Sequence, residues 1–262
     1  MVDKNLEMLD DKIRNEYDLK EKEYWEKLEQ TIIDSKIPFS EMMRNIPAFI
    51  RRRDLPRILS HYELFKKIIN LPGSIVELGV YLGAGFFTWS KLLETFCPGD
   101  RSRKVYGFDN CQGYEKFSSK DSNPMPWINK IIGKMDFKES YIKNMVEIHN
   151  DDNLLPGVER CKIIIGKIED TVPKYVKNLQ GTRIALLYFD VNLYQPTLIG
   201  LKSLYPFVMN GGIIAFNGYG GPPWEGEASA IEHYFKEMDI SPIFKKYPFS
   251  THPSAYMIKG EN

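Results

Sequence analysis

Five short, unbroken apolar runs constrain the fold of this chain more than any other feature of its sequence. Each is rich in Val, Ile, Leu and Phe without polar alternation, which is typical of strands buried on both faces. Helical segments separate most of them, as crossovers between parallel strands require. We therefore predict a doubly wound, mostly parallel α/β sheet. The runs are SIVELGV (74–80), KVYGFD (104–109), CKIIIG (161–166), RIALLYFD (183–190) and GGIIAFN (211–217).

Two further runs near the C-terminus have no helix between them. SPIFKKYPF occupies residues 241–249, and SAYMIKG occupies residues 254–260. Without a crossover helix the two can pair only as an antiparallel hairpin. The pattern therefore predicts seven strands, of which the last is antiparallel.

The first 45 residues are highly charged and carry apolar side chains at helical spacing, including Leu9, Ile13 and Trp25. This spacing predicts an amphipathic helical arm over residues 1–45. We expect the arm to pack on the core or on a second subunit of a homo-oligomer, or to cover the substrate as a lid. Residues 46–262 are expected to form the catalytic domain.

Composition narrows the choice of partners. Lys plus Arg and Asp plus Glu both total 35, so no net field draws the chain to nucleic acid or anionic lipid. No stretch of sequence approaches the ~20 apolar residues of a membrane span. We therefore expect a cytoplasmic protein that acts on a small molecule and binds neither nucleic acid nor a membrane.

The most distinctive local motif joins the first predicted strand to the following helix. Residues 76–85 read VELGVYLGAG, and glycines there let the backbone turn sharply and approach a ligand. Asp109 ends the next strand, where a carboxylate accepts hydrogen bonds from ribose hydroxyls in nucleotide-binding folds. Together they predict a nucleotide-type cofactor. The structural alternatives are a tight turn and an Asp that caps the turn after it.

A second functional signal lies in FDVNLYQPT (189–197), at the end of the fourth run. Asp190 follows an apolar strand, so it is placed at the edge of a crevice, where a general base or a cation ligand is useful. An N-cap for the helix near Pro196 is the alternative. The polar segment 111–156, with one helix predicted in residues 137–149, is expected to flank the pocket mouth.

Several motifs, taken in order, resemble those of the macrocin O-methyltransferase family of class I S-adenosylmethionine-dependent enzymes. They are VELGVYLGAG, VYGFDNCQGY, IIIGKIEDTVP, LLYFDVNLYQPT, the glycine pair before IIAF, and WEGEA, and the likeness runs from about Phe49 to the C-terminus. The resemblance implies a Rossmann-like fold and S-adenosylmethionine as cofactor. It also implies O-methylation of a small, sugar-containing acceptor in secondary-metabolite or glycan biosynthesis.

The resemblance assigns roles by position. Asp190 is the implied catalytic residue, which deprotonates the acceptor hydroxyl and binds a divalent cation. The residues implied for the cofactor are Arg52 at the methionine carboxylate, Glu77, Gly79, Tyr81, Gly83 and Gly85 around methionine and ribose, Asp109 at the ribose hydroxyls, Ile168 and Glu169 near adenine, and Asp190. The residues implied for the acceptor are Asn192, Tyr194, Asn217 and Trp224, the last as a stacking wall in a rigid loop at 221–224.

The chain departs from the family pattern at its catalytic end. Members usually carry a second acid two places after the catalytic Asp and an acidic pair after the fifth strand, but this chain has Asn192 and Asn217-Gly218. Mg²⁺ prefers carboxylates and water, so a site made of Asp190 and Asn217 is expected to be weak. A weak magnesium site and a metal-free reaction, with or without help from a histidine, both stay open. The histidines are His61, His149, His233 and His252.

Other functions also fit the sequence. An N-methyltransferase acting on an amino sugar or a small amine needs less help with deprotonation, which agrees with the missing carboxylates. A catalytically impaired methyltransferase fold that serves as a binding subunit would explain them too, although the glycine turn and Asp109 favour a working cofactor pocket. A nicotinamide-dependent dehydrogenase shares the glycine-rich turn and ranks behind both.

Overall fold

The computed structural model describes residues 4–114, 117–121, 139–177, 181–220 and 224–261. The chain divides into two compact units, Met1–Asp54 and Leu55–Asn262. The predicted boundary after residue 45 falls within the first unit.

The first unit is helical. It contains α1 (Lys4–Ser35), α2 (Phe39–Arg44) and a 3-10 turn (Ile46–Ala48). Arg51 ties the end of the unit to α1, because its Nη1 donates to Glu21 Oε1 at 2.6 Å. Its guanidinium carbon also lies 4.8 Å from the centroid of the Tyr24 ring. The helical character of the arm is therefore as predicted, while its role as a lid or an oligomer contact stays a prediction.

The second unit contains one sheet, for which the described residues supply six strands in the order β3-β2-β1-β4-β5-β6. The first five strands are parallel and β6 is antiparallel to β5. This arrangement confirms the doubly wound, mostly parallel architecture. The strands are β1 (Ser74–Leu78), β2 (Val105–Asp109), β3 (Cys161–Ile165), β4 (Ile184–Phe189), β5 (Val208–Phe216) and β6 (Ala255–Ile258).

The prediction of a seventh strand is wrong. In the segment 241–249, Lys245 forms an isolated bridge with Tyr256 through two backbone hydrogen bonds of 2.8 Å. Pro242 and Pro248 flank this bridge and have no N–H to donate to a ladder. The segment therefore lies beside β6 without extending the sheet as a strand.

Helices cover both faces of the sheet. They are α3 (Leu55–Ile68), α4 (Ala84–Phe96), α5 (Glu139–Asp151), α6 (Ile168–Lys177), α7 (Tyr194–Leu204) and α8 (Glu225–Glu237), with a 3-10 turn at Tyr205–Phe207. Leu64 of α3 and Trp89 of α4 belong to the core on one face. Val172 of α6 and Leu201 of α7 belong to the core on the other. The helix predicted within residues 137–149 is α5. None of the described helices is both long and apolar enough to cross a membrane.

The carboxyl ends of β1, β4 and β5 meet at one edge of the sheet. The Asp190 N–H donates to the Leu78 carbonyl at 2.8 Å, and the Asn217 N–H donates to the Phe189 carbonyl at 3.0 Å. The chain runs from β1 outward to β3 and then returns to β4 on the other side of β1. In open α/β sheets, ligands bind at such a switch point, so this edge is the candidate site.

Candidate active site

The turn after β1 is glycine-rich because other parts of the protein press against it. Gly79 has a φ of +84°, and a Cβ there would lie 2.2 Å from the Asp190 carbonyl oxygen. A Cβ at Gly85 would lie 2.7 Å from both carboxylate oxygens of Glu77. At Gly83, which caps α4, the obstacle would be the Phe87 ring at 2.3 Å. The close packing at these three positions therefore requires residues without a Cβ.

Glu77 lies beneath the turn and is fully buried. Its Oε2 accepts a hydrogen bond from Trp89 Nε1 at 2.7 Å. Burial raises the pKa of Glu77 to about 8, although the positive charge of Arg57 works against this shift. The carboxyl group thus connects β1 to α4, the helix that follows the turn. Its contact with the cofactor stays a prediction.

Asp109 binds the glycine turn through its carboxylate. Its Oδ2 accepts hydrogen bonds from the N–H groups of Val80 at 2.7 Å and Tyr81 at 2.8 Å. Its Oδ1 accepts from the N–H of Cys111 at 2.7 Å, so Asp109 also caps the turn that follows it. A carboxylate offers about four acceptor positions, which leaves room for one further donor. This arrangement fits a ribose hydroxyl.

The ends of β2 and β3 place two further predicted residues at the same edge. The Gly166 N–H donates to the Asp109 carbonyl at 2.9 Å. Ile168 and Glu169 follow as the first residues of α6. Arg52, by contrast, belongs to the first unit, where it is exposed. Its predicted role at a methionine carboxylate is not tested by its position.

Three residues with side chains adopt a left-handed backbone at this edge. They are Tyr81 with φ 52°, Cys111 with φ 56° and Asn192 with φ 60°. This conformation costs a residue with a Cβ roughly 1–2 kcal/mol. Such strain concentrates at functional sites, and here it follows the ends of β1, β2 and β4.

Asp190 forms an ion pair at the end of β4. Its Oδ2 accepts a hydrogen bond from Arg57 Nη2 at 2.7 Å, and the Arg57 and Asp190 side chains are 30% and 21% exposed. Burial lowers the pKa of Arg57, but the charges of Asp190 and Glu77 outweigh burial and raise it overall. The guanidinium is therefore permanently charged. The carboxylate that the sequence singled out thus has a cationic partner from α3.

Asn192 and Glu227 connect the loops after β4 and β5. The Asn192 N–H donates to Glu227 Oε2 at 2.8 Å, and the Gly218 N–H donates to Glu227 Oε1 at 2.7 Å. The Asn192 side chain donates to the hydroxyl of Tyr114 at 2.6 Å. Burial raises the pKa of Glu227 to about 8, against these backbone hydrogen bonds. Glu227 therefore holds the two loops together from beneath.

Asn217 is buried after β5 and is already engaged. Its Oδ1 accepts a hydrogen bond from the hydroxyl of Tyr188 at 2.6 Å. Burial raises the pKa of that phenol, so it stays a donor. The Nδ2 of Asn217 is buried without a hydrogen-bond partner among the described residues. Asn217 therefore has a donor to offer to a ligand.

The two aromatic residues predicted for the acceptor lie in different surroundings. Trp224 lies beside Tyr114, with ring centroids 5.8 Å apart and an angle of 33° between the planes. Tyr194 has its hydroxyl 2.5 Å from His233 Nδ1. The structure thus brings Trp224 and Asn192 together around Tyr114. The remainder of the predicted rigid loop, 221–223, lies outside the described residues.

Of the four histidines, His61 adjoins the ion pair. Its Nδ1 is 2.6 Å from the Arg57 carbonyl oxygen. Its ring centroid lies 4.2 Å from that of Trp89 and 4.9 Å from that of Tyr188. Burial lowers the pKa of His61 to about 3, so the ring is neutral at physiological pH. The other three contact Phe87 (His149), Tyr194 (His233) and Ser60 (His252).

The described residues do not fit a magnesium site. They contain no group of three or more His, Cys, Asp or Glu side chains that could hold a metal. One oxygen of Asp190 is bound to Arg57, and the amide oxygen of Asn217 is bound to Tyr188. A hard cation needs several oxygen ligands that are free to point at it, and this donor set does not supply them.

Four residues of the site went unassigned in the sequence. Arg57 carried a usable signal, because it precedes the buried His61 by four residues and so shares its face of α3. Glu227 lies in the WEGEA motif, but nothing in a motif shows that its carboxylate reaches two loops. Tyr114 and Tyr188 lie in the motifs VYGFDNCQGY and LLYFDVNLYQPT, but a motif does not show which loop each hydroxyl reaches.

A family of known proteins matches most of the chain. The model of the macrocin-O-methyltransferase (TylF) family matches residues 57–246. The chain belongs to the macrocin O-methyltransferase family. It is thus an S-adenosylmethionine-dependent O-methyltransferase, as the sequence predicted. No curated protein sequence gives a significant match.

Solved structures agree with the family. A crystal structure of the calicheamicin methyltransferase CalS11 has a TM-score of 0.83 and 28% identity, covering 92% of this chain and 93% of that one. The apo structure of CalS11, described as a TDP-rhamnose 3'-O-methyltransferase, has a TM-score of 0.76 and 28% identity over 92% and 95%. The O-methyltransferase NovP has a TM-score of 0.59 and 21% identity over 78% and 79%, and supports the fold.

Proposed function

We propose that this enzyme methylates a hydroxyl of a small, sugar-containing acceptor, with Asp190 as the general base. One observation carries the proposal. The Asp190 carboxylate stands partly exposed at the switch point of the sheet, with its own carbonyl against the glycine turn. The choice of a sugar rests on CalS11, which is described as acting on TDP-rhamnose and shares 28% identity over 92% of this chain.

The cofactor is proposed to lie along the glycine turn. When bound, S-adenosylmethionine would supply a methyl group on a sulfonium, whose carbon can bond to an acceptor oxygen as the carbon–sulfur bond breaks and the sulfur leaves as a neutral thioether. Asp109 has an acceptor position left for a ribose hydroxyl. The remaining proposed contacts are Glu77, Gly79, Tyr81, Gly83 and Gly85 at the turn, Ile168 and Glu169 near adenine, and Arg52 at the methionine carboxylate.

The acceptor is proposed to enter beside the loops after β4 and β5. Trp224 offers a flat apolar ring against which a sugar can stack, as aromatic side chains provide area at little entropic cost. Asn192 is linked to that ring by Tyr114, whose hydroxyl accepts a hydrogen bond from Asn192 and whose ring lies beside Trp224. The unpartnered Nδ2 of Asn217 suits a hydroxyl oxygen, and Tyr194 is proposed at the rim.

Asp190 is proposed to take the proton of the acceptor hydroxyl. Its Oδ2 is held by Arg57, which leaves Oδ1 to accept that proton. A fixed base of this kind typically contributes 10²–10⁴-fold to a rate. Holding the acceptor oxygen in line with the methyl group contributes separately through alignment.

Calorimetry with S-adenosylmethionine, followed by an acceptor screen, tests the proposal. We expect binding, and methyl transfer from labelled cofactor to nucleotide sugars or glycosylated metabolites. Absence of binding at millimolar S-adenosylmethionine would contradict the whole proposal, because the reaction needs the cofactor. Transfer to amino sugars or amines but to no hydroxyl would favour the N-methyltransferase alternative. Tight binding without transfer to any acceptor would favour a binding subunit.

A further inference from the structure

We infer that the Arg57 guanidinium takes the place of a divalent cation at Asp190, so that this enzyme transfers methyl groups without a metal. The inference rests on the proposed role of Asp190 as base. It starts from the ion pair between Arg57 Nη2 and Asp190 Oδ2, 2.7 Å apart. A cation bound to that oxygen would have to displace the guanidinium.

The neighbouring oxygens are engaged as well. Asn217 Oδ1 accepts from Tyr188, and both oxygens of Glu227 accept backbone N–H groups. Asn192 uses its amide nitrogen on Tyr114. The further acids that family members usually carry are replaced here by Asn192 and Asn217-Gly218, and the other buried acid nearby, Glu77, binds Trp89 through Oε2. This set of partners holds the loops and leaves no cage of oxygens for Mg²⁺.

Arg57 has what is needed to replace the charge. A guanidinium has five N–H donors in a fixed plane. One of them binds Asp190, while Nε is buried with no hydrogen-bond partner in the part of the chain that the structure describes. The positive charge therefore lies beside the point where the acceptor oxygen becomes negative. Fixed charges aimed at such a point stabilise the transition state more than the ground state.

The environment keeps this charge in place. Arg57 stands on the first turn of α3, where burial lowers its pKa but the negative charges near it, Asp190 foremost, raise the pKa above its usual value overall. His61, one helical turn later, is neutral and does not compete for Asp190. Arg57 is thus a positioning residue for Oδ2 of Asp190 and a source of positive charge for the acceptor.

The experiment compares the wild type with Arg57→Met and Arg57→Lys. We expect the wild-type rate to be unchanged by a chelator, and electron paramagnetic resonance to detect no protein-bound Mn²⁺. Arg57→Met is expected to lower kcat about a hundredfold or more, in the range found for the loss of one transition-state donor. Its affinity for S-adenosylmethionine, measured by calorimetry, should stay within about twofold of wild type. Arg57→Lys should recover part of kcat, because it keeps the charge.

Arg44→Met is the matched control, since it removes an exposed Arg–Glu pair of 2.7 Å. Chelator inactivation of the wild type that magnesium reverses would overturn the inference, as would unchanged kcat in Arg57→Met. Weakened cofactor binding with normal kcat would overturn it too, by placing Arg57 at the methionine carboxylate. If Arg57→Met does not fold, two tests of the inference remain. They are the chelator and Mn²⁺ measurements on the wild type, and the rate of Arg57→Lys. An unchanged rate in Asp190→Asn would instead contradict the proposed base.

Discussion

Two pairs of loops meet at the same edge of the sheet but are held by different kinds of contact. The first loop pair (79–83 and 110–114) is built on backbone, since Asp109 accepts three N–H groups and glycines allow close packing. The second loop pair (190–193 and 217–220) also has a carboxylate that accepts backbone N–H groups, that of Glu227, but it depends in addition on pairs between side chains, such as Arg57 with Asp190.

The second loop pair is the part of this site that substitutions can change more easily. Backbone N–H groups are present whatever the side chains are, so the first loop pair keeps its shape when neighbouring residues vary. A side-chain pair needs both members, so the second loop pair can be rebuilt by a few substitutions. This agrees with the motifs, which match the family around 76–85 and depart from it at Asn192 and Asn217.

Asp190→Asn is expected to have the largest effect, because it removes the proposed base from the second loop pair. We expect kcat to fall by about 10³-fold, with cofactor affinity by calorimetry unchanged. Asp239→Asn, the same change at an exposed residue with φ 53°, is the control. Normal turnover in Asp190→Asn would mean that the base lies elsewhere. It would also contradict the assignment of catalysis to the second loop pair and of cofactor binding to the first.

Asp109→Asn is expected to affect the first loop pair alone. An amide cannot accept all three N–H bonds of the carboxylate, and hydrogen bonds to a charged group are worth about 1.5–3 kcal/mol. We expect the Kd for S-adenosylmethionine to rise about tenfold to a hundredfold, with kcat at saturation nearly normal. Asp100→Asn is the control, since Asp100 caps the turn at Ser102. Equal loss of affinity in both variants would show a general loss of stability instead.

Glu227→Gln tests how the second loop pair is held, through the pH dependence of stability. Burial raises the folded pKa of Glu227 from 4.5 to about 8. The native state therefore retains a proton that the unfolded chain releases, so the free energy of unfolding falls as pH rises through this window. The slope is at most about 1.4 kcal/mol per pH unit for this group.

The glutamine variant does not titrate at this position, so its unfolding free energy should fall less between pH 5 and 8. Urea unfolding at several pH values measures the difference. Glu232→Gln changes an exposed residue of the same helix and should leave the wild-type slope intact. Parallel curves for wild type and Glu227→Gln would show that Glu227 is charged throughout the window.

Trp224→Leu is expected to have the smallest effect. Loss of a stacking surface costs about 1 kcal/mol, so KM for a sugar acceptor should rise about fivefold. Turnover at saturation and cofactor affinity should not change, because Trp224 reaches the first loop pair only at the Tyr114 ring, away from Asp109 and the glycine turn. Phe249→Leu, at an exposed ring, is the control. A drop in kcat without a change in KM would remove Trp224 from the acceptor site.

Much of the fold could be predicted because it depends on local patterns. Apolar runs and helical spacing gave five parallel strands, and topology alone brings strand ends such as Asp109 and Asp190 to one edge. The prediction of a seventh strand was wrong because strand pairing depends on a partner that is distant in sequence. Pairing needs backbone N–H donors in register with that partner, and Pro242 and Pro248 have no N–H.

The side-chain partners of the site were harder to predict. Tyr114, Arg57 and Glu227 lie on three different elements, and only tertiary packing decides which loop each one reaches. Arg57 was nearest to prediction, through helical spacing from His61. The family resemblance instead implied Arg52, at the methionine carboxylate.

The pair between Arg57 and Asp190 joins residues 133 positions apart. During synthesis, Arg57 and the glycine turn leave the ribosome long before Asp190 exists, and contacts of large sequence separation must await closure of the intervening chain. Methyl transfer therefore requires that both halves of the sheet have folded, because the proposed base and its cationic partner come from different halves.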